Sequence, residues 1–152
     1  MNRGWLHQLI LDDQLKDETA VQMAWKDFEA SFTLHDSHWE TFAISAGTTG
    51  DLNICIDLDT VWQPEPIKSA LAEKTSYMVL RFKSPRSIEI SGVEPVGGYN
   101  SPIGGTYYDG KTLKFENVVG GTISVTPVEM VHIWLYDESG ADLTRMVKQA
   151  AG

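Results

Sequence analysis

The sequence has a single cysteine, few basic side chains and no long apolar run, and each shortage excludes a class of protein. Cys55 has no second cysteine to pair with, which excludes a fold stapled by internal disulfides. No stretch approaches the roughly 20 apolar residues that a membrane-spanning helix needs. Twelve basic against 21 acidic side chains leave a net charge of −9. This charge disfavours nucleic acid and anionic membranes as partners, because both are negatively charged.

The N-terminal stretch also lacks what a secretion signal requires. It carries one basic side chain, Arg3, and a short apolar run that is interrupted by His7 and Gln8. Two aspartates follow, and no cleavage site of small residues is present. Together with the unpaired thiol, these features predict a protein of the reducing cytoplasm.

A chain of 152 residues with 42% apolar side chains is long enough to bury a core of its own. Proteins of this size bury roughly 68–70% of the surface of the unfolded chain, so stability requires neither a disulfide nor a structural metal. We expect one domain over residues 1–152. It would comprise a helical N-terminal part over 1–33, an antiparallel sheet region over 34–136 and a C-terminal tail over 137–152.

Residues 18–32 have the apolar spacing of an amphipathic helix. Four large side chains recur at intervals of four, three and four residues, on one helical face: Val21, Trp25, Phe28 and Phe32. Asp17 precedes them and is expected to cap the helix N-terminus. Such a stripe can form a partner-binding face, but its size favours a place in the core. Short helices are also expected over 5–11 and 141–149.

The rest of the chain is typical of β-structure. Four apolar residues alternate with other residues over 52–58, which predicts a strand with one face buried. Turn residues over 47–51 connect it to an aromatic and β-branched stretch over 38–45, so a hairpin is expected. Further strands are expected over 77–83, around Ile88 and Ile90, on both sides of the Asp109-Gly110 turn, around Ile123 and Val125, and over 130–136.

The faces of two strands can be read from their alternation. In the strand over 77–83, Arg81 and Lys83 are expected to face solvent. In the strand over 130–136, one face holds Val131, Ile133 and Leu135, and the other holds His132, Trp134 and Tyr136. Five glycines and two prolines over 92–105 predict a long loop, of the kind often associated with function or mobility.

Seven or eight strands after one N-terminal amphipathic helix indicate a mainly β protein of the α+β class. The connections between strands are too short for the crossover helices of a parallel sheet. The sequence therefore predicts an antiparallel β-sandwich or open barrel, with the helix packed on it.

The acidic surplus lies in the first part of the chain. Residues 1–66 carry three basic side chains and twelve carboxylates, whereas residues 67–152 carry nine of each. An acidic face of this kind favours fast encounter with a basic protein partner. The alternative is an ordinary solvated surface. Residues 68–86, with five basic side chains and one glutamate, would neutralise the acidic face by folding back on it.

The densest polar cluster, over residues 35–38, lies at the junction between the helix and the first strand of the sheet region. His35 and His38 are three residues apart, and Asp57 and Asp59 are expected near them on the adjacent strand. Imidazoles and carboxylates suit zinc or a similar divalent ion, although the spacing matches no standard zinc motif. The alternative is a polar junction in which the aspartate or serine of the cluster caps backbone groups.

Signatures of enzymatic chemistry are few. No nucleophile elbow or phosphate-binding loop is present, and Cys55 lies among aliphatic residues, as a structural thiol does. Asp57 and Asp59 would have to flank a cleft to serve as a glycosidase pair. A sugar-stacking surface is a further alternative, built from aromatic residues that a sheet equally uses for packing: Trp39, Trp62, Tyr99, Tyr107, Tyr108 and Trp134.

Residues 34–92 resemble a broad set of small bacterial β-rich proteins. The likeness lies in a His-Asp-Ser element at 35–37, in the alternating strand over 52–58, and in the strand over 78–82. Some of these bacterial proteins are grouped with the immunity proteins of polymorphic toxin systems. The resemblance implies a cytosolic binding protein without catalytic activity.

These observations lead to one functional prediction with two alternatives. We expect a non-enzymatic, acidic protein-binding module, of the immunity type, that neutralises a basic toxin and needs no cofactor. An exposed edge strand would also permit self-association. The alternatives are a metal-dependent enzyme using residues 35–38 and a carbohydrate-binding β-sandwich. The expected protein-binding residues are His35, Asp36, His38, Glu40, Asp57, Asp59 and Trp62.

Overall fold

The structure is a computed structural model that describes residues 4–11, 14–44, 50–71, 76–92, 102–118 and 120–151. Its strands are β1 Val21–Ala24, β2 His38–Ile44, β3 Leu52–Leu58, β4 Ser76–Phe82, β5 Ser87–Ser91, β6 Ile103–Tyr108, β7 Leu113–Asn117, β8 Thr122–Thr126 and β9 Met130–Asp137. Its helices are α1 Gly4–Leu11, α2 Trp25–Ser31, α3 Ile67–Leu71 and α4 Thr144–Ala151.

Within these residues the strands form two antiparallel sheets. Sheet A has the order β1-β9-β4-β3-β2, and sheet B has the order β5-β8-β7-β6. Every strand pair is antiparallel, and an isolated bridge from His38 to Pro102 joins the two sheets at one corner. The mainly β, sandwich-like fold predicted from the sequence is confirmed. The helices over 5–11 and 141–149 are present as α1 and α4.

The space between the sheets holds the larger apolar core. Alternate side chains of β3, β4 and β9 face those of sheet B in one buried cluster, which includes Ile54, Leu80, Ile133, Phe115 and Ile123. Helix α2 adds its aromatic residues to this core. The Trp25 ring stacks on Phe28 with 4.5 Å between centroids and meets Phe115 of sheet B edge-on at 6.0 Å. The predicted stripe of large apolar residues is therefore part of the core.

The helix predicted over 18–32 is shorter than expected. A 3₁₀ turn occupies Asp17–Thr19, strand β1 follows, and α2 begins only at Trp25. The backbone of β1 pairs with β9, a long-range contact that helical spacing alone does not reveal. The N-cap prediction for Asp17 is also wrong, because Lys16 holds the cap position of the 3₁₀ turn. Strand β1 raises the described strands to nine, against seven or eight expected.

The outer face of sheet A is covered by other residues of the chain. The sequence, in contrast, predicted that only one face of the first hairpin would be buried. Residues 4–11 and 14–20 pack on this face in a second apolar cluster, consisting of Leu6, Leu15, Ala20, Cys55, Tyr77, Val79, Trp134 and Tyr136. Both faces of β3 are therefore buried along most of its length. Cys55 is inside this cluster, as expected for a structural thiol.

Sheet B follows the sequence closely. The Asp109-Gly110 turn connects β6 and β7, and the Asp109 carboxylate accepts hydrogen bonds from the backbone N–H groups of Lys111 and Thr112 at 2.9 and 2.7 Å. Most of the predicted loop over 92–105 lies outside the described residues. Its last residues form the start of β6 instead, with a register shift between Ile103 and Gly105. No helix in the described part has the length and apolar character needed to cross a membrane.

Candidate functional site

Three chain segments meet where the two sheets come together, and they hold most of the predicted site. Ser37, in the connection between α2 and β2, accepts a hydrogen bond on its Oγ from the Asp59 N–H at 2.9 Å. The Ser37 carbonyl accepts another from the Ile103 N–H, at 2.7 Å, at the start of β6. Around this junction lie the exposed residues His35, Val61 and Trp62 and the partly exposed residues Asp36 and Asp59. We call these five residues the corner surface.

The His-Asp-Ser element is a tight turn with a buried serine. The Ser37 N–H donates to the Leu34 carbonyl at 3.0 Å, and Asp36 has a φ of 62°. Aspartate is among the few residues that tolerate this left-handed conformation. Because Ser37 is buried and binds backbone groups of two other segments, its role is to connect them. This agrees with the prediction of a polar junction.

The loop after β3 is held by side-chain hydrogen bonds. The Asp59 carboxylate accepts from the Val61 N–H at 2.9 Å. The buried Gln63 amide donates to the carbonyls of Thr33 and Asp59 at 2.7 and 2.6 Å, and accepts from the Thr33 N–H at 3.0 Å. Each such bond contributes about 1 kcal/mol, so the loop has little freedom.

This hydrogen-bonded loop presents two large apolar side chains to solvent. Val61 is 60% exposed and Trp62 is 56% exposed. The Trp62 ring contacts His35 edge-on, with 5.5 Å between ring centroids. The His35 Nε2 lies 3.5 Å from a carboxylate oxygen of Asp36, so an aromatic pair and acidic groups adjoin. Such an arrangement can take up an apolar or cationic side chain of another protein.

The predicted binding residues are only partly brought together. His35, Asp36, Asp59 and Trp62 belong to the corner surface. His38 lies directly opposite Asp57 in the β2–β3 register, next to this surface. The side chain of the seventh residue, Glu40, lies outside the described residues.

The metal-site alternative finds no ligand set in the residues that the structure describes. No three histidine, cysteine, aspartate or glutamate side chains among them converge as metal ligands would. His35 is instead in contact with Trp62 and Asp36, as described above. The cluster over 35–38 is therefore better described as a turn with an exposed imidazole.

Of the aromatic residues proposed for sugar stacking, those whose side chains the structure describes do not form one surface. Trp134 is fully buried, and its Nε1 donates to the Thr19 Oγ at 2.9 Å. The Tyr108 hydroxyl donates to the Val128 carbonyl. Tyr107 is 56% exposed and lies over Gly105. A Cβ atom at position 105 would overlap with the Tyr107 ring and hydroxyl. Tyr99 and the Trp39 side chain lie outside the described residues.

The early carboxylates are spread over several parts of the molecule. Asp17 and Asp51 accept from Lys83 at 2.7 and 2.9 Å, and Asp17 also accepts from Arg81 at 2.9 Å. The basic stretch therefore folds back on two of the acidic residues and neutralises that part of the expected acidic face. Partial burial works against ionisation of Asp17, but the hydrogen bonds from Lys83 and Arg81 hold its pKa below the usual value. The same bonds to Asp17 and Asp51 raise the pKa of Lys83.

Arg81 was expected to face solvent, and this prediction is wrong. The residue is 4% exposed, and Leu15 and Asp17 contact its guanidinium. The guanidinium donates to Asn53 at 2.7 Å and to the Leu15 carbonyl at 2.8 Å, and it lies 4.7 Å from the centre of the Trp134 ring. The sequence held one indication of burial, because Arg81 is a single arginine within an otherwise apolar strand. An arginine buried in such a strand needs a carboxylate partner.

The resemblance to immunity proteins rests on residues that now have known positions. The His-Asp-Ser element forms the turn before β2, and the two strands that accompany it are the neighbours β3 and β4. Comparison of the chain with protein families, with curated proteins and with solved structures gives no match. The function must therefore be argued from the surfaces of the molecule itself.

Proposed function

We propose that this protein is a non-enzymatic binding module that docks a basic partner protein on the corner surface. The observation that carries the proposal is the exposure of Trp62 and Val61 on a loop fixed by hydrogen bonds. In its most specific form, the module is an immunity-type protein that neutralises a basic toxin.

The exposed pair has the properties of a binding anchor. Tryptophan is enriched among the few residues that supply most of the energy of an interface. Burying a large ring gains most when little conformational freedom is lost, and the loop is already ordered by Asp59 and Gln63. A partner that covers Trp62 therefore gains apolar contact at low entropic cost.

The charges beside the anchor favour a basic partner. The carboxylates of Asp36 and Asp59 lie on the same surface as Trp62, and Glu65 follows in the same connection. A guanidinium or ammonium group can contact the face of an indole ring and a neighbouring carboxylate together. The overall charge of −9 adds a long-range attraction that speeds encounter with such a partner.

The test removes the anchor and compares it with an equally exposed aromatic residue elsewhere. Proteins retained on the immobilised chain and released by salt supply the partner, which is then produced alone for calorimetry. Trp62→Ala should raise the Kd by about thirtyfold, which corresponds to roughly 2 kcal/mol. Tyr107→Ala is the matched control, since Tyr107 is also 56% exposed but belongs to sheet B.

The outcome also separates a specific surface from general electrostatic attraction. If both variants bind the partner as tightly as the unaltered chain, the corner surface is not the docking site. If the partner is retained equally by the Trp62→Ala variant, charge rather than the anchor determines binding, and the proposal is wrong.

A further inference from the structure

The free edge of β1 is a second surface that can receive a partner. β1 ends the strand order of sheet A and pairs only with β9 in the described part of the chain. A groove of about 550 Å³ lies beside it, lined by Gln22 and Met23 of β1, by Asp27 and Ala30 of α2 and by Lys148 of α4. Gln22 is exposed and lines the groove together with Met23, so the groove reaches the strand.

The hydrogen-bond pattern identifies which backbone groups point away from β9. The Trp25 N–H donates to the Glu129 carbonyl at 2.9 Å, where the chain continues the β1–β9 register. In an antiparallel ladder, residues bonded to the partner strand alternate with residues whose N–H and C=O point the other way. By this alternation, Ala24 and Gln22 direct their backbone groups to the free edge.

Three of these groups have no hydrogen-bond partner within the part of the chain that is described. Ala24 is the N-cap of α2, so its carbonyl accepts the first bond of the helix. The Ala24 N–H and both backbone groups of Gln22 are left. Unpaired donors and acceptors in this order form a template for one more strand.

The charges of the groove indicate what kind of segment fits. Neither Glu18 nor Asp27 forms an ion pair with a residue that the structure describes, and Lys148 is the cation among the residues that line the groove. An extended segment with lysine or arginine is attracted by this excess of carboxylates. A symmetric pairing of two copies would bring the same carboxylates against each other, which costs energy.

We propose that the β1 edge binds an extended, basic segment of a partner protein by strand addition. Main-chain hydrogen bonds to Gln22 and Ala24 would supply affinity, and basic side chains near Glu18 and Asp27 would supply selectivity. The surface is separate from the corner surface, because β1 and β2 form opposite edges of sheet A.

The probe is a fluorescein-labelled hexapeptide of alternating valine and lysine, followed by fluorescence anisotropy at low salt. We expect saturable binding with a Kd below one millimolar. Replacing the lysines with glutamate should weaken binding at least fivefold, and methylating every backbone nitrogen of the peptide should abolish it. Absence of binding at one millimolar, or equal binding of the methylated peptide, overturns the proposal.

The most selective variant is Ala24→Pro. The φ of Ala24 is −64°, which a proline ring adopts without strain, and the N–H that proline lacks is not bonded to β9. The variant should fold as the unaltered chain does but bind the peptide at least tenfold more weakly. Ala24→Ser is the matched control, because it keeps the N–H, and its Kd should stay within twofold.

Further measurements keep the test decisive. If Ala24→Pro does not fold, hydrogen exchange of the Gln22 and Ala24 amides in the unaltered chain replaces it. Both should slow at least tenfold when the peptide is bound, and unchanged exchange overturns the proposal. Trp62→Ala should bind the peptide normally, so this result does not depend on the corner surface. A dimer that Ala24→Pro disrupts, without peptide binding, would show instead that the edge pairs two copies.

Discussion

The outer faces of the two sheets differ although their strands have similar alternating sequences. In sheet B, the strands β7 and β8 alternate buried and partly exposed residues, as a sheet with one face in solvent does. In sheet A, β4 and most of β9 are buried on both faces, because residues 4–11 and 14–20 cover the outer one. The alternation of apolar and polar residues along a strand therefore indicates how polar each face of the sheet is. It does not indicate whether that face is exposed to solvent.

The charged pairs on the two faces show the consequence of this cover. On sheet B, Lys114 and Glu116 are 3.5 Å apart, with side chains 45% and 41% exposed. On sheet A, Arg81 is almost completely buried and is bound by Asp17, Asn53 and the Leu15 carbonyl. A solvated ion pair contributes at most about 1 kcal/mol to stability. A buried charge, in contrast, is destabilising when one of its ion-pair or hydrogen-bond partners is removed.

The largest expected effect comes from removing the buried cation. Arg81→Met keeps the length of the side chain but removes the hydrogen bonds that the guanidinium donates to Asn53, to the Leu15 carbonyl and to Asp17, which keeps its ion pair with Lys83. We expect a loss of roughly 3–5 kcal/mol in the free energy of unfolding, because several hydrogen bonds from a charged donor are lost at once and each contributes about 1.5–3 kcal/mol. Lys114→Met, the matched change on sheet B, should stay within about 0.5 kcal/mol. Urea unfolding followed by tryptophan fluorescence measures both.

An equal loss in the two variants would remove the distinction between the faces. So would a small loss in Arg81→Met, since that would mean that solvent reaches the guanidinium. Circular dichroism of both variants establishes that they are compared as folded proteins.

A smaller loss of stability is expected from truncating a side chain that packs on the outer face of sheet A. Leu6 of α1 is buried against the outer face of sheet A, and Leu6→Ala should cost about 2–3 kcal/mol because it leaves a cavity. Val118, exposed after β7, is the control, and Val118→Ala should cost less than about 0.5 kcal/mol. A negligible change in Leu6→Ala would mean that α1 is not tightly packed on the sheet.

Local patterns in the sequence were sufficient for the parts of the fold that depend on them. The inner residues of β3, β4 and β9 and the Asp109-Gly110 hairpin follow from alternation and turn chemistry. The strand β1 and the cover of sheet A could not be predicted, because they arise from pairing and packing between distant segments. Helical spacing over 18–32 even pointed to a different structure for β1.

The candidate site was predictable to a similar degree. Asp59 was expected near residues 35–38 because β2 and β3 form a hairpin, and the hydrogen bond from its N–H to Ser37 agrees with this. The contribution of Gln63 was not predictable, since a glutamine in a loop carries no signal of the three bonds it makes. The exposure of Trp62 likewise depends on the loop conformation.

The smallest effect concerns His132, whose titration should distinguish the covered face from the solvated one. Burial lowers the pKa of His132, and Lys83 and Arg81 lower it further, while Asp17 and Asp51 oppose the shift. Its Nδ1 has no hydrogen-bond partner within the described residues. The folded state therefore prefers the neutral imidazole more than the unfolded state does.

The sign of the pH dependence follows from this preference. In the unfolded chain, His132 takes up a proton near pH 6.5, whereas in the folded chain it does so only at a lower pH. The stabilising contribution of the neutral imidazole is therefore complete above pH 6.5 and is lost as the pH falls below it. Stability measured by urea unfolding should decline between pH 7 and pH 5, and His132→Gln should flatten the decline. Sheet B offers the contrast, because Lys114→Met should leave the slope unchanged. A slope that is the same in the His132→Gln variant would mean that water reaches this imidazole, and that the outer face of sheet A is open there.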